Sequence, residues 1–372
     1  MRTEEALYWI ALHKAPGIGP KRFYQLLKAF GSARAVWESD LAALSAVLGP
    51  KVAGDFMTFR RNCSLPAEKE RVEKAGCRVM LVTDPAYPPL LKKIHDPPPV
   101  LYYYGDFRPE DRLAVALVGS RRATPGGLAT AHKLAADLAA QGVTVVSGLA
   151  RGIDSAAHRG ALSIEGGRTI AVLGSGLDRI YPPENTSLAV EIARRGVVCS
   201  EFPLGTPPYA GNFPARNRII SGLSLGVTVV EATSDSGSLI TADFALEQGR
   251  DVFAVPGPIE REGSRGPHGL IKQGAFLVED VRDILAALNL PFLTVETDAC
   301  PGLTAGADEP GFPGFTAVEQ KIWELLAAGE THIDHLIQAS QLPAAIVNAA
   351  LVMMEMKGAV TQVAAKTYRR SR

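Results

Sequence analysis

Six short apolar runs constrain this chain more than any other feature. They fall at residues 114–118, 143–146, 169–173, 197–199, 227–230 and 252–255. Each runs into small or turn-forming residues: Gly119-Ser120-Arg121-Arg122, Ser147-Gly148-Leu149-Ala150-Arg151-Gly152, Gly174-Ser175-Gly176, Ser200-Glu201-Phe202-Pro203, Ser236-Gly237-Ser238 (reached through Glu231) and Pro256-Gly257. β-Branched runs without polar alternation are buried on both faces, as in a parallel sheet. Helical spacing separates most of them, as at 129–140. Strand–helix alternation of this kind predicts a doubly wound α/β fold, whose ligands bind at the carboxyl ends of the strands.

Those ends carry Gly, Ser and Ala, small residues that admit a ligand close to the backbone, with Arg among them. A dinucleotide fingerprint would place G-x-G-x-x-G after the first strand and an acid about 20 residues later. Gly119-Ser120-Arg121-Arg122-Ala123-Thr124 lacks that spacing, and no G-x-x-x-x-G-K-[ST] occurs. Neither NAD nor a P-loop nucleotide is expected, and no cofactor is assigned. The ends are cationic instead. Arg121 and Arg122 fall where a helix should begin, the end at which the macrodipole disfavours a cation, and a bound anion would relieve that conflict. Solvent or a carboxylate would serve as well for one pair alone. Arg151, Arg216 and Arg218 repeat the pattern, with Phe213 beside the last two. Several such elements on one rim point to a polyphosphate ligand.

Composition sharpens this. The chain has 372 residues, room for two or three domains, and 39 basic residues against 39 acidic. A nucleic-acid binder with no net charge must concentrate its positive charge locally. No apolar run reaches the roughly 18 residues of a membrane span, and Met1-Arg2-Thr3-Glu4-Glu5 shows no signal-peptide core. Cys63, Cys77, Cys199 and Cys300 form no C-x-x-C pair, so a reduced cytoplasmic protein without structural zinc is expected. Asp154 and His158 share a helix face, but no third metal ligand has suitable spacing. Asp154 is expected to shape the glycine-rich loop. Glu201 and Glu231 end buried strands and need partners, the neighbouring arginines among them. A remnant of the catalytic base of an ancestral nucleotide hydrolase is the other reading of either glutamate.

The ordered set Val118-Gly119-Ser120-Arg121, Ser147-Gly148-Leu149-Ala150-Arg151-Gly152-Ile153-Asp154, Gly174-Ser175-Gly176-Leu177-Asp178, Tyr181-Pro182-Pro183-Glu184-Asn185, Phe213-Pro214-Ala215-Arg216-Asn217-Arg218 and Gly237-Ser238-Leu239-Ile240-Thr241-Ala242 resembles the DNA-processing protein A (DprA/Smf) family. The resemblance implies an extended Rossmann-like sheet that binds single-stranded DNA without sequence specificity. It also implies a non-catalytic homodimer that helps load the RecA recombinase in natural transformation, with single-stranded DNA-binding protein a further candidate partner. On this reading Arg121, Arg122, Arg151, Arg216 and Arg218 grip the backbone. Backbone N–H groups at Gly119, Ser120, Ser147, Gly148, Ser236, Gly237 and Ser238 complete a phosphate track, Asn217 lies beside it, and Phe213 or Tyr209 stacks a base. Leu270, Ile271 and Leu277 are the candidate dimer contacts, with packing inside one subunit as the alternative. Rival readings are a Rossmann-type nucleotide-phosphate hydrolase and a winged-helix regulator of duplex DNA.

The flanks complete the domain plan. Residues 1–65 read as a helical, helix-hairpin-helix (SAM-like) domain: Pro16-Gly17-Ile18-Gly19-Pro20-Lys21 separates helical patterns and Leu48-Gly49-Pro50-Lys51 echoes it. A packing module whose hairpin only makes a tight turn is the favoured reading; if the domain meets DNA, Lys14, Lys21, Arg22 and Lys28 are its candidate phosphate contacts. Residues 66–289 hold the sheet domain. Tyr102, Tyr103 and Tyr104 sit in a strand there, where core or edge packing is favoured over base stacking. Residues 290–314 read as a Pro/Gly-rich linker and 315–372 as a winged helix. Its third helix, with Ala344, Ala345, Asn348, Ala349 and Ala350, carries few base-reading side chains, and only Lys366, Arg369, Arg370 and Arg372 make the tail basic. A protein-interaction role, or a weak DNA contact, fits it better than sequence readout.

Overall fold

The six apolar runs become six strands of one nine-stranded sheet. In the computed structural model, residues 4–290, 292, 315–342, 344–364 and 366–371 are described. The strands are β1 (Arg78–Leu81), β2 (Val100–Gly105), β3 (Ala114–Val118), β4 (Thr144–Ser147), β5 (Thr169–Val172), β6 (Val197–Ser200), β7 (Gly226–Val229), β8 (Asp251–Ala254) and β9 (Phe276–Leu277). Their order is β1-β2-β6-β5-β4-β3-β7-β8-β9. β3 to β9 are parallel, and the β1–β2 hairpin extends the sheet by pairing antiparallel to β6.

Every residue of β3 to β7 is buried, which is why these strands show no polar alternation. Successive side chains serve opposite faces. Val115 and Leu117 of β3 pack with Leu134, Leu138 and Ile284 on one face. Ala114, Ala116 and Val118 join Val146, Ile170 and Ile219 on the other. The chain steps away from β3 through β4, β5 and β6, then returns to lay β7 on its other side. The switch point is therefore the crevice between the carboxyl ends of β3 and β7.

Local chemistry sets the helices around that crevice. Thr124 caps Pro125–Ala140, accepting from the Gly127 amide at 3.1 Å, and Pro125 opens the helix where no N–H partner is needed. This helix meets Ile153–Ser163 at a glycine: a Cβ on Gly160 would lie 2.1 Å from the His132 carbonyl oxygen. Tyr102 is buried and Tyr104 donates to the Ala75 carbonyl at 2.8 Å, so the tyrosine strand packs inside the sheet, between β1 and β6.

The N-terminal helices include Glu4–Lys14, Pro20–Phe30, Leu41–Leu48 and Pro50–Asn62, with Pro20 and Pro50 opening helices after Gly19 and Gly49. Their core (Trp9, Phe23, Leu26, Phe56) is continuous with one face of the sheet, and residues Met1–Phe292 form a single compact unit. Across the junction His13 Nε2 donates to the Glu201 carbonyl at 2.5 Å and Tyr24 Oη to the Pro97 carbonyl at 2.9 Å. Lys14 pairs with Glu68 and Arg22 donates to Gly17 O at 2.7 Å, so two of the four candidate phosphate contacts are already engaged.

The second unit is a winged helix: helices Ala317–Leu325, Ile333–Ser340 and Ala344–Met356 with strands β10 (Thr331–His332), β11 (Val360–Ala364) and β12 (Thr367–Arg370) in the order β10-β12-β11. Ile322, Leu336, Leu351 and Met354 are in its core. Ile346, Val352 and Met353 of the third helix are exposed. Arg369 pairs with Glu330 at 3.7 Å, and Arg370 donates to the Trp323 carbonyl, so two tail arginines are engaged. Nearly all of the expected linker 290–314 lies outside the described residues, as do Cys300 and Arg372. Among the described residues no helix is long and apolar enough to cross a membrane.

Candidate nucleic-acid interface

A cleft of about 940 Å³ opens at the β3/β7 switch point. Of the residues expected at the site, Gly119, Ser120, Arg121, Arg122, Phe213, Arg216, Asn217, Ser236, Gly237 and Ser238 line it. Three short segments far apart in sequence thus meet in one hollow.

The strand ends themselves are closed. The Ser120 amide donates to the Glu231 carbonyl at 2.6 Å, and a Cβ on Gly119 would lie 2.7 Å from that oxygen. The Gly148 amide donates to Asp154 Oδ2 at 3.1 Å, as the Ala150 amide does at 3.3 Å, so Asp154 shapes the loop as expected. The Ser236 amide is taken by Thr233 O at 3.1 Å and the Ser238 amide by Ser236 Oγ at 3.3 Å. Ser147 is fully buried within β4, its hydroxyl donating to Leu117 O at 2.6 Å. The expected track of phosphate-binding amides is therefore corrected at Ser120, Ser147, Gly148, Ser236 and Ser238. Buried amides must be satisfied, and the folded loops do so internally.

The arginines divide in the same way. Arg121 and Arg122 are exposed on the cleft. Arg121 lies over the Phe213 ring, 5.1 Å from its centroid, and Phe213 in turn stands 5.7 Å from Tyr181. Gly174 makes room for that ledge: a Cβ there would be 2.8 Å from Phe213 Cδ1. Arg216 is 4% exposed and forms the floor. It donates from Nη1 to Gly148 O at 2.7 Å and also to Val172 O. Burial draws its guanidinium down to about 10 while Asp154 opposes the shift, so it stays charged at neutral pH. Asn217 is committed to Gly237 O at 3.1 Å and to Arg216 Nε at 3.2 Å.

Arg218 does not reach the cleft, against expectation. It points to the opposite side of its helix, Asn212–Gly222, into a buried pair with Glu201 (2.6 Å) and a second contact to Asp96 (2.9 Å). Burial works against the Arg218 charge, and the two carboxylates outweigh it. Glu201 thus orients an arginine as expected. Glu231 does not: it accepts from the Thr124 amide at 2.8 Å and hydroxyl at 2.6 Å, fixing the start of helix Pro125–Ala140. Both glutamates have structural partners: Glu201 is buried with Arg218, and Glu231 holds Thr124 at the wall of the cleft. Arg151 is exposed, pairs with Glu184 and lines a separate hollow rather than the cleft. His158 turns from Asp154 to Thr169 Oγ1 at 2.7 Å, and no cluster of metal-ligating side chains occurs among the described residues.

Sequence reasoning missed Tyr181, Thr124 and Thr233 as cleft residues. Tyr181 stood in a recognised motif, but no spacing pattern could seat it against Phe213. Tyr209 is 62% exposed and does not line the cleft, unlike its neighbours Pro208 and Ala210. Of the expected dimer contacts, Leu270 is buried in the core of its own unit and Ile271 packs partly against it. Only Leu277 is open, 46% exposed beside Phe276 on the edge strand β9.

Comparison with known proteins agrees with this geometry. A family model described as DNA recombination-mediator protein A matches residues 78–289. A DprA winged helix domain model matches residues 306–366, and a DprA-like N-terminal HHH domain model matches residues 3–47. The chain is 36% identical over 398 residues to Protein Smf of Synechocystis, covering 100% of both. It is similar to the X-ray structure of DNA processing protein A from Streptococcus pneumoniae, with a TM-score of 0.67 at 38% identity over 77% of this chain and 98% of that one. It is also similar to DNA processing protein A from Helicobacter pylori, described for its single-stranded DNA binding mode, with a TM-score of 0.52 at 32% identity over 57% of this chain and 95% of that one.

Proposed function

We propose that this chain, which belongs to the DNA-processing protein A (DprA/Smf) family, binds single-stranded DNA without sequence preference in the β3/β7 cleft. The observation that carries this reading is Arg121 lying over the Phe213 ring at the mouth of the cleft. A cation for phosphate and a ring for a base occur at one spot. Stacking tolerates every base, and the phosphate contact supplies affinity without sequence information. Asn217, the amide best placed to read a base edge, is spent on Gly237 and Arg216, which supports the lack of preference.

From the same family reading, the protein is a non-catalytic recombination mediator. It acts as a homodimer in the cytoplasm, handing incoming strands to RecA during natural transformation, with single-stranded DNA-binding protein as a further partner. The exposed pair Phe276 and Leu277 on an unpaired sheet edge supports the dimer. The exposed apolar residues of the third winged-helix helix support a protein contact there rather than duplex readout.

Titration of single- and double-stranded oligonucleotides at two salt concentrations tests the reading. Tighter single-strand binding is expected, indifferent to sequence. Arg121→Ala should weaken it and flatten the log–log salt slope by about 0.7 for each phosphate that is no longer neutralised. Wild-type affinity and slope in Arg121→Ala would remove the cleft from the binding site.

A further inference from the structure

Beside the cleft lies a second hollow, of about 570 Å³, between helices Pro125–Ala140 and Ile153–Ser163. Arg121 lines both. Around the second stand Arg151, Arg159 and His132, over a surface that includes Leu128 and Ala156. No Asp or Glu lines it, whereas Asp154, Glu231 and Glu262 line the cleft. Its polar wall is already satisfied: Asn185 Nδ2 donates to Leu149 O at 2.8 Å and Ser155 Oγ at 2.9 Å, and Ser155 Oγ donates to Ala150 O at 2.5 Å. The cations are not. Among the described residues neither Arg121 nor Arg159 has an ion-pair partner. Arg151 has Glu184, but both are half-exposed, and such a pair yields readily to a stronger anion.

We propose that this hollow is a second subsite for the single strand, entered from the cleft across Arg121, where Arg159 and His132 hold a phosphate and the apolar surface receives a base or sugar. The inference rests on the reading that the cleft binds a single strand. Three arginines face one hollow and a single exposed carboxylate, Glu184, pairs with one of them, so positive charge remains in excess and an anion relieves the repulsion. A polyanion fits better than a free nucleotide because the shared Arg121 places the two hollows one after the other along a single path.

The test is fluorescence anisotropy of the full chain with oligothymidylates spanning about 4 to 16 nucleotides, the range of sites that single-strand binders cover. The variants are Arg159→Ala, Arg159→Lys, His132→Ala and, as a control for the change in charge, Arg194→Ala on another helix. Arg159 and His132 are both exposed, so the fold should persist by circular dichroism. The wild type should gain affinity with length in two stages. Arg159→Ala should keep its affinity for the shortest strand and bind the longest about tenfold more weakly, as removal of one charge-assisted hydrogen bond requires, with a salt slope flatter by about 0.7. His132→Ala should show a smaller effect of the same kind, Arg159→Lys should restore most of the slope, and Arg194→Ala should match the wild type. Arg159→Ala tracking the wild type at every length, or weakening all lengths equally, overturns the second subsite while leaving the cleft intact. So does binding of a mononucleotide that Arg159→Ala abolishes without a length effect. A wild type that binds no strand of any length overturns the cleft reading and this inference with it.

Discussion

Arg218 Nη2 lies 2.6 Å from Glu201 Oε2, with each side chain 7% exposed. The pair joins the helix that carries Phe213 and Arg216 to the end of β6, and Asp96 extends it to the Pro97 carbonyl that Tyr24 holds from the N-terminal helices. Removing one partner strands the other charge out of water. Arg218→Ala should therefore destabilise the protein by about 3–5 kcal/mol, read from urea unfolding. A simultaneous Glu201→Gln should recover part of that stability. If Arg218→Ala retains full stability and loses only DNA affinity, Arg218 is a DNA contact after all.

Gly148 is a space that Arg216 fills. A Cβ there would sit 2.5 Å from both terminal guanidinium nitrogens. Gly148→Ala should displace Arg216, cost about 1–3 kcal/mol and weaken strand binding. Gly211→Ala, at the start of the same helix and with nothing within 4 Å, should stay within about 0.5 kcal/mol of wild type. Equal behaviour of the two variants would show that the floor of the cleft yields freely.

Two buried histidines make the fold acid-sensitive. Burial holds His158 down to about 3, with Arg216 adding to the effect, and burial lowers His13 too. Each has one ring nitrogen without a hydrogen-bond partner, Nε2 in His158 and Nδ1 in His13, so a second proton would find no acceptor. In the unfolded chain an imidazole takes up its proton as pH falls through 6.5. The folded His158 does not until about 3. The stability is complete above 6.5 and is lost progressively as pH falls between those values. Each histidine contributes a slope of up to about 1.36 kcal/mol per pH unit. Urea midpoints measured at steps from neutral pH downward should fall, and His158→Asn should flatten the profile. An unchanged profile would mean that His158 is not held neutral.

Leu277 stands 46% exposed on the edge strand, so Leu277→Arg should leave the monomer folded. In a dimer built on that edge, an unpaired charge at the interface costs several kcal/mol. Sedimentation should then show monomer, and strand affinity should fall because one of two linked sites is gone. A folded variant that remains dimeric would move the interface off β9.

The strands, and the gathering of most of the expected residues at one cleft, were legible in the chain itself. β3 to β8 are apolar runs closed by small residues, and a parallel sheet that is buried on both faces leaves that signature. The tyrosine strand, the two Gly-Pro helical hairpins and the winged helix were legible from period and breakers in the same way. The roles of individual polar groups were less so. Arg216 and Arg218 are two positions apart in one motif and read alike. One became the floor of the cleft and the other a buried ion pair, because residues so spaced on a helix face different sides.

Chain order alone carries the parallel sheet and the small and cationic residues gathered at its strand ends, where a ligand is expected. Those follow from local periodicity and from the steric demands of small residues. Which cations and amides stay open at those ends was settled by long-range packing. The amides of Ser120 and Gly148 went to Glu231 and Asp154, Arg218 went to Glu201, and Leu270 went to its own core, while Arg121 settled over Phe213. Buried polar groups are claimed by partners that chain order does not reveal, and what they leave unclaimed at the β3/β7 switch point is what the proposed strand would use.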